Sequence, residues 1–514
     1  MTRGVKQGDP LSPLLFNLVL DELLTSLPSD IGFQLGPHLI NGLGFVDDVI
    51  LVSASKPGMD KLLQHASDFF KSRSLALNSK KSFALRLIPS TKNRIVVPDR
   101  KASFLLSNEP LRLIDQHSTF TYLGINFDPS GKLSLNLQLL SDLLLKLRKA
   151  PLKPQQKLSL LKSNILPRFA YRLTLGRLTI GLLERFDTLV LQFVKDLLRL
   201  GHDTPYSGIH ASVKDGGLGV PSMTLLVPSS LVRRLSKLDR SSDPIVSSLM
   251  SLGFLPKLLE KCQSILTRFG PLDSTASYSH SWGKLWHTTT DGRPTSDFST
   301  HSFGQSWLLA PAPYLTGREF CELTKLRLGR LETRVTSSRG RPTVKSCRFC
   351  NALSESINHI SQSCYPTHGL RIRRHNKLLS KLTSILKPCR DLQLFVEPRI
   401  ITPQTLFKPD LIIVSSDSIL VVDMIVTGDG PGALKRAADA KILKYDTSEF
   451  NTHLRSLHGA KKVTHMPFVM SCRGCYWTPN DRILDLAKAK SRRSEFVHAS
   501  MSWTIKIWKF FCML

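Results

Sequence analysis

The stretch GLGFVDDVILVS, residues 42–53, limits the architecture more than any other part of the chain, because two adjacent carboxylates sit inside an apolar run. On a continuous strand neighbouring side chains point to opposite faces. At a hairpin tip, in contrast, both can approach one ion. Asp47 and Asp48 are therefore expected at the end of a strand. Paired carboxylates suit two-metal phosphoryl transfer, in which one Mg²⁺ (or Mn²⁺) activates an attacking hydroxyl and the other neutralises the leaving group. A lone Asp-Asp at a strand end also reads as a plain turn, so the surrounding sequence has to decide.

The chain has 514 residues, too many for one core, and two to four domains are expected. With 41% hydrophobic and 21% charged residues it is globular rather than disordered. Lys and Arg number 70 against 40 Asp and Glu, a net charge of +30. This excess points to a polyanion, nucleic acid first and an anionic membrane surface second. It recurs in separated stretches rather than in one tail. There is no uncharged apolar run of about 18 residues, and no secretory leader pattern, so no membrane partner is expected. Cys512 lies third from the end, which does not fit the prenylation pattern. Nine cysteines, an odd number, argue against a secreted disulfide framework. The expected compartment is intracellular and reducing, and for a nucleic-acid protein nuclear.

Residues 1–88 mix a helix with strands. Leu14, Leu15, Leu18, Val19, Glu22 and Leu23 keep one mostly apolar helical face. FTYLGINFDPSGK reads as a hairpin, with a turn at Pro129, Ser130 and Gly131. From about 136 to 230 the pattern is helical, leucine-rich and basic, as suits a domain lying along a phosphate backbone. Residues 271–307 are rich in Ser, Thr and His with little periodicity, and read as a long connection. LTKLRLGRLETRVTSSRGRP then gives a basic helix running into a loop. The last block, to about 500, alternates helix with strand. SWTIKIWKFFCML at the end looks unlike the basic stretch before it and is set apart as a tail, 501–514.

Around the acidic pair, GVKQGDPLSPLLFNLVLDEL lies upstream, LNSKKS at 77–82 and YLGI at 122–125 downstream. In order and spacing these four motifs resemble the palm of reverse transcriptases, of the kind found in non-LTR retrotransposons. The resemblance implies that Gln7, Gly8, Asp9 and Pro10, with Ser12 and Pro13, begin the helix beside template and incoming nucleotide. It makes Asp47 and Asp48 the metal-binding pair, with Val46 where Ala is more frequent. Asn78 and Lys81 then belong to the next motif, and Tyr122 and Gly124 to the primer grip. The family carries its first metal-binding aspartate, and the fingers, before the Gln-Gly-Asp-Pro motif. Only three residues precede Gly4 here, so the expectation is a partial palm that does not polymerise unaided.

CRFCNALSESINHISQSC gives Cys347-x-x-Cys350, eight residues, His359, four residues and Cys364. Soft thiolates with one imidazole at this spacing are what a structural Zn²⁺ asks for. His368 is a rival fourth ligand with a poorer spacing. Arg371, Arg373, Arg374, His375 and Lys377 beside the module suit a knuckle that grips nucleic acid. Cys472-x-x-Cys475 has no matching partners nearby and reads as structural.

In KPDLIIVSSDSILVVDMIV, Asp410 opens one strand and Asp423 closes the next, with twelve residues between. A hairpin would bring both carboxylates to one divalent ion, which can generate hydroxide and stabilise a scissile phosphate. Lys441 and Lys444 follow on an amphipathic helix with Tyr445, where a lysine could stabilise developing charge. The order palm, helical thumb, knuckle, then Pro-Asp…Asp…Lys resembles the R-two type of non-LTR retrotransposon protein, with a restriction-like endonuclease. HDTPYSGIHASVKDGGLGVPS at 202–222 and THGLRIRRHN at 367–376 extend that resemblance. It implies Asp410 and Asp423 as metal ligands, Lys441 or Lys444 as the catalytic lysine, Glu397 as a helical acid, and Asp429 as a substitute ligand.

The expected fold is multidomain α+β. Its parts are a partial right-hand palm (1–135), a helical thumb (136–230), a linker region with a basic helix (231–344), a zinc knuckle (345–375) and an α/β restriction-like endonuclease (376–500). The resemblance implies an RNA-directed DNA polymerase fused to a metal-dependent DNA endonuclease, acting in target-primed reverse transcription. Partners would be the element RNA, double-stranded target DNA and dNTPs; oligomeric state is not legible. The alternative is a non-catalytic nucleic-acid-binding remnant. Mg²⁺-dependent strand cleavage separates the two, whereas salt sensitivity does not.

Overall fold

A computed structural model describes residues 8–90, 95–131, 137–175, 179–269, 281–309, 314–339, 341, 343–459 and 462–514. Gln7 lies outside the described residues. The chain is a multidomain α+β protein that divides into two compact units. The first holds residues 1–137, 168–182 and 224–268; the second holds 138–167, 183–223 and 269–514. The expected thumb is therefore shared between the units, because its helices contribute to two separate cores.

In the first unit, helix Lys56–Ser72 starts at Ser55, whose hydroxyl accepts from the Gly58 amide at 3.1 Å. Its buried residues Leu62, Ala66, Phe69 and Phe70 follow the helical repeat and meet Leu20, Leu23 and Leu27. Those come from helix Ser12–Ser26 and the residue after it. Together they cover one side of the hairpin formed by strands Gly42–Phe45 and Asp48–Leu51, touching Val49 and Leu51. A side chain at Gly42 would come within 2.8 Å of both Leu24 and Leu27, so glycine there lets the helix lie on the hairpin. Of the expected apolar face, Leu23 is buried and Val19 packs on the core, whereas Leu14, Leu15 and Leu18 are exposed. The buried edge runs through Leu20 and Leu23, which pack with Leu62, Ala66, Phe69 and Phe70 of helix Lys56–Ser72, while Leu24 and Leu27 face the glycines.

The described residues of 231–344 do not form a linker. Helices Met223–Asp239, Pro244–Met250 and Phe254–Leu266 build the first unit. In the second, Trp286, Phe298 and Trp307 are fully buried, each on a short helical element. Large apolar residues spaced beyond one helical turn leave no periodic trace, which is why the segment reads as a connection. The expected basic helix is Gly317–Arg327; Arg318 on it is exposed, but its last cation, Arg327, turns inward. Arg327 is fully buried, with its guanidinium 4.1 Å from the Phe298 ring centre. Arg330 pairs with Asp203 and Asp291.

The C-terminal block carries a four-stranded mixed sheet in the order Gln393–Val396, Leu411–Val414, Ser418–Val422 and Lys462–His465. The first three strands are antiparallel, and the last two run parallel. The parallel pair needs a crossover, which helices Ala433–Tyr445 and Ser448–His458 supply. Their Tyr445, Phe450 and Leu454 close a core over Ile412, Val414, Ile419 and Val421. Residues 501–514 are not a separate tail. They complete helix Arg493–Met513, whose Ile507 and Phe511 are fully buried against Cys347 and Cys364.

Candidate functional sites

The first site is the hairpin tip at 46–47. Phe45 pairs with Asp48, leaving Val46 and Asp47 as a two-residue turn. Val46 takes φ 55°, the left-handed conformation that this turn demands and a β-branched residue resists. Asp47 and Asp48 are both exposed. Strands Phe120–Tyr122 and Ile125–Phe127 form a second hairpin, turning at Leu123 and Gly124 with φ 48° and 74°. Burial pushes the Tyr122 phenol up, and the charge of Asp48 adds to the rise, so the two hairpins share one electrostatic neighbourhood. Asp9 precedes helix Ser12–Ser26 and accepts from the Leu11 amide at 2.9 Å, while Gly8 turns at φ 89° beside exposed Pro10. Asn78 closes a turn by accepting from the Lys81 amide at 3.1 Å. Among the described residues no third carboxylate joins Asp47 and Asp48 in a metal-sized cluster.

The second site is the Cys/His module. Cys347 and Cys350 lie in a loop tightened by Asn351 at φ 54°. His359 sits on the short helix Ile357–Gln362, and Cys364 directly precedes the turn Tyr365–Thr367. All four ligand atoms fall within 4.8 Å of one another. The Sγ atoms of Cys347 and Cys364 are 3.7 Å apart, and those of Cys350 and Cys364 are 3.9 Å apart. A tetrahedral ion with metal–sulfur bonds of about 2.3 Å sets thiolates about 3.8 Å apart, so the donor set fits Zn²⁺. Burial and the neighbouring Cys347 push the Cys364 thiol up to about 12, an electrostatic cost that a cation would remove. Beneath the loop, fully buried Glu355 accepts from Arg348 Nη2 at 2.6 Å and Nε at 2.9 Å. His368 is not in the cluster and lies 3.3 Å from Arg371.

The third site is in the C-terminal block. Leu411 is paired with Val422, so Asp410 and Asp423 occupy the facing ends of two antiparallel strands. Lys441, from helix Ala433–Tyr445, forms an ion pair with Asp423 Oδ2, which is buried and takes no well-directed hydrogen bond. Burial pushes the Asp423 carboxyl up, the charge of Asp410 adds to this, and Lys441 opposes it. Asp410 behaves differently: burial raises it, but His375 holds it below the usual carboxylate range. His375 Nε2 lies 2.9 Å from Asp410 Oδ2, and that hydrogen bond pulls the imidazole up. Two carboxylates on facing strand ends, one of them buried against a lysine, are a donor set that fits a hard divalent ion.

Lys444 does not reach the carboxylates by a hydrogen bond; it meets the Tyr445 hydroxyl at 3.2 Å, and Tyr445 donates to the Lys408 carbonyl at 2.8 Å. Glu397 is not on a helix. It follows strand Gln393–Val396 with φ 48°, and Pro398 after it disfavours helical backbone. Asp429 is engaged elsewhere, with Cys472 Sγ at 2.9 Å and Arg473 Nε at 3.6 Å. His375, read from sequence as a knuckle neighbour, is the residue that linear order concealed. Its partner Asp410 is 35 positions away, and only the helix direction brings them together.

Comparison with known proteins bears on all three sites. Residues 1–127 match the family "Reverse transcriptase (RNA-dependent DNA polymerase)". The chain is 33% identical over 456 residues to the "Retrovirus-related Pol polyprotein from type-2 retrotransposable element R2DM" of Drosophila melanogaster, covering 88% of this chain and 43% of that protein. Two type-1 retrotransposable element R2 Pol polyproteins of Popillia japonica are 31% identical over 513 residues and 32% over 510, and the chain covers 83% and 70% of their lengths. The chain belongs to the R2 family of retrotransposon Pol polyproteins. The R2 likeness thus spans the first unit, the Cys/His module and the carboxylate site, although the chain covers less than half of the Drosophila relative. No described helix is long and apolar enough to cross a membrane.

Proposed function

We propose that this R2-family chain combines a reverse-transcriptase palm, a zinc knuckle and a metal-dependent endonuclease that nicks DNA for target-primed reverse transcription. The observation that carries the nuclease reading is the meeting of Asp410, Asp423 and Lys441, drawn from two strands and the crossover helix. Asp410 and Asp423 would hold a Mg²⁺ or Mn²⁺ ion, which supplies a water of lowered pKa and a Lewis acid for phosphodiester hydrolysis. Lys441 neutralises Asp423 and offers an ammonium to the charge that develops on the phosphate. The raised Asp423 and the lowered Asp410 are a pair of carboxyls driven apart by their surroundings, which is common where proton transfer is tuned.

Asp47 and Asp48, exposed at the hairpin tip, are the palm's candidate ion ligands, with Tyr122 and Gly124 beside the primer strand. Gly8, Asp9, Pro10 and Lys81 would lie near template and nucleotide. Cys347, Cys350, His359 and Cys364 would hold Zn²⁺ as a structural ion. Element RNA, dNTPs and target duplex DNA are the proposed partners, and a nuclear location follows from that target. The net charge of +30 supports a phosphate-rich partner.

The test is strand nicking of supercoiled plasmid by the full chain in Mg²⁺, compared with Asp410→Ala and Asp423→Ala. Loss of nicking in both is expected. Equal nicking by all three proteins would sink the nuclease assignment and leave the non-catalytic binding reading. Primer extension on an RNA template, with Asp47→Ala and Asp48→Ala as controls, tests the palm separately.

A further inference from the structure

We infer that His375 is a positioning residue of the carboxylate site, clamping Asp410 so that one carboxylate oxygen is presented to a divalent cation. This inference rests on the nuclease reading and adds a residue to it. Asp410 Oδ2 receives the His375 Nε2 at 2.9 Å and the Met424 backbone amide at 2.7 Å. Both bonds fall on the same oxygen, so Oδ1 is the oxygen left for a ligand. Two donors from different elements fix the carboxylate plane, which neither could do alone.

The imidazole is itself held. Its Nδ1 lies 3.3 Å from Asn376 Oδ1, so both ring nitrogens have partners. Its helix, His368–Leu386, is tied at its start to the Cys/His module. Arg374, the preceding residue and 3% exposed, reaches the Ser361 carbonyl at 3.0 Å and Thr504 Oγ1 at 3.3 Å. Arg371 reaches the carbonyls of Gln362 and Cys364. Neighbouring residues of one helix therefore point two ways, Arg374 into the metal-ligand module and His375 onto Asp410. The knuckle is a mount for the carboxylate site as well as a neighbour of it.

His375 does not qualify as a third ion ligand. Among the described residues it joins no group of three or more converging potential ligands. Its one strong partner is Asp410, and it acts through that carboxylate. A residue that orients a ligand typically changes metal affinity by about 10- to 100-fold when removed.

The experiment is Mn²⁺ titration of the full chain by calorimetry, with the Mn²⁺ dependence of plasmid nicking measured in parallel. Wild type is compared with His375→Ala, His375→Gln and Asp423→Ala. His375→Ala is expected to bind Mn²⁺ about 10- to 100-fold more weakly and to need correspondingly more for half-maximal nicking. Its rate at saturating Mn²⁺ stays near wild type, and its zinc content is unchanged. His375→Gln retains an N–H donor near the Nε2 position and restores most of the affinity. Unchanged Mn²⁺ affinity in His375→Ala, or His375→Gln no better than Ala, overturns the inference. Should His375→Ala fail to fold, His375→Asn, whose amide is too short to reach Asp410, replaces it in the comparison with Gln. The Asp423→Ala arm separates the two readings. If that variant binds Mn²⁺ and nicks like wild type, the nuclease reading falls and takes the His375 role with it. If it loses both while His375→Ala matches wild type, only the His375 role falls.

Discussion

Replacing Phe511 by alanine should loosen the Cys/His module, although the residue lies 147 positions beyond Cys364. The Phe511 ring is fully buried, packs edge-on against Phe349 with 5.0 Å between ring centres, and lies 5.3 Å from the Arg348 guanidinium. It shares one apolar cluster with Cys347, Ile360, Cys364 and Ile507. Removing a buried phenylalanine side chain costs about 3–5 kcal/mol, from lost transfer energy and the cavity left behind. At about 1.4 kcal/mol per factor of ten, local opening becomes roughly a hundred- to several-thousand-fold more frequent. The assay is thiol labelling of metal-free protein, read peptide by peptide in a mass spectrometer. Cys347 and Cys364 are buried and label only through opening, whereas exposed Cys350 serves as an internal reference. Phe511→Ala should accelerate the first two within that range and leave the third unchanged. Phe510→Ala, on the same helix but 39% exposed, should change opening by less than about 0.5 kcal/mol. Unchanged labelling of Cys347 and Cys364 in Phe511→Ala would refute the packing of the last helix on the module.

Glu355→Gln should destabilise the same region by about 3 kcal/mol at neutral pH, since it strips the buried partner from Arg348. Burial pushes the Glu355 carboxyl up, but Arg348 and the amides of Arg348 and Arg334 hold it below its ordinary value. A lowered folded pKa means stability that is present above the unfolded value of about 4.3 and lost as pH falls below it. The gap between wild type and Glu355→Gln, followed by hydrogen exchange, should therefore shrink on acidification; a gap independent of pH would contradict the assignment. Gly42→Ala should cost about 1–3 kcal/mol in hydrogen-exchange stability of the hairpin, because its methyl would meet Leu24 and Leu27 at 2.8 Å. An unperturbed hairpin would mean that the helix does not press on Gly42.

Local chemistry was legible from the sequence wherever it is carried by a short stretch. The apolar flanks of Asp47 and Asp48 dictate a strand, a tip and a strand, and the hairpin forms there. The spacing of Cys347, Cys350, His359 and Cys364 is close enough that few backbone paths avoid bringing them together. Asp410 and Asp423 are separated by one hairpin, so strand register alone sets them face to face. What the sequence did not reveal depends on elements that meet from far along the chain. Leu14, Leu15 and Leu18 have the same spacing as a buried face, yet of the face they share with Leu23 only its far end is buried, where Leu20 and Leu23 meet helix Lys56–Ser72. Trp286, Phe298 and Trp307 lie in a polar-looking segment whose burial has no period to show it. Arg327 and Arg374 count as surface charge in any composition, yet tertiary packing takes both inside. The last fourteen residues look foreign to what precedes them because their partner is the Cys/His module rather than their neighbours. His375 belongs by sequence to a basic run and by structure to Asp410. Periodicity and spacing report what a residue does within a turn or a hairpin; which distant surface a helix face meets is decided only when the cores close.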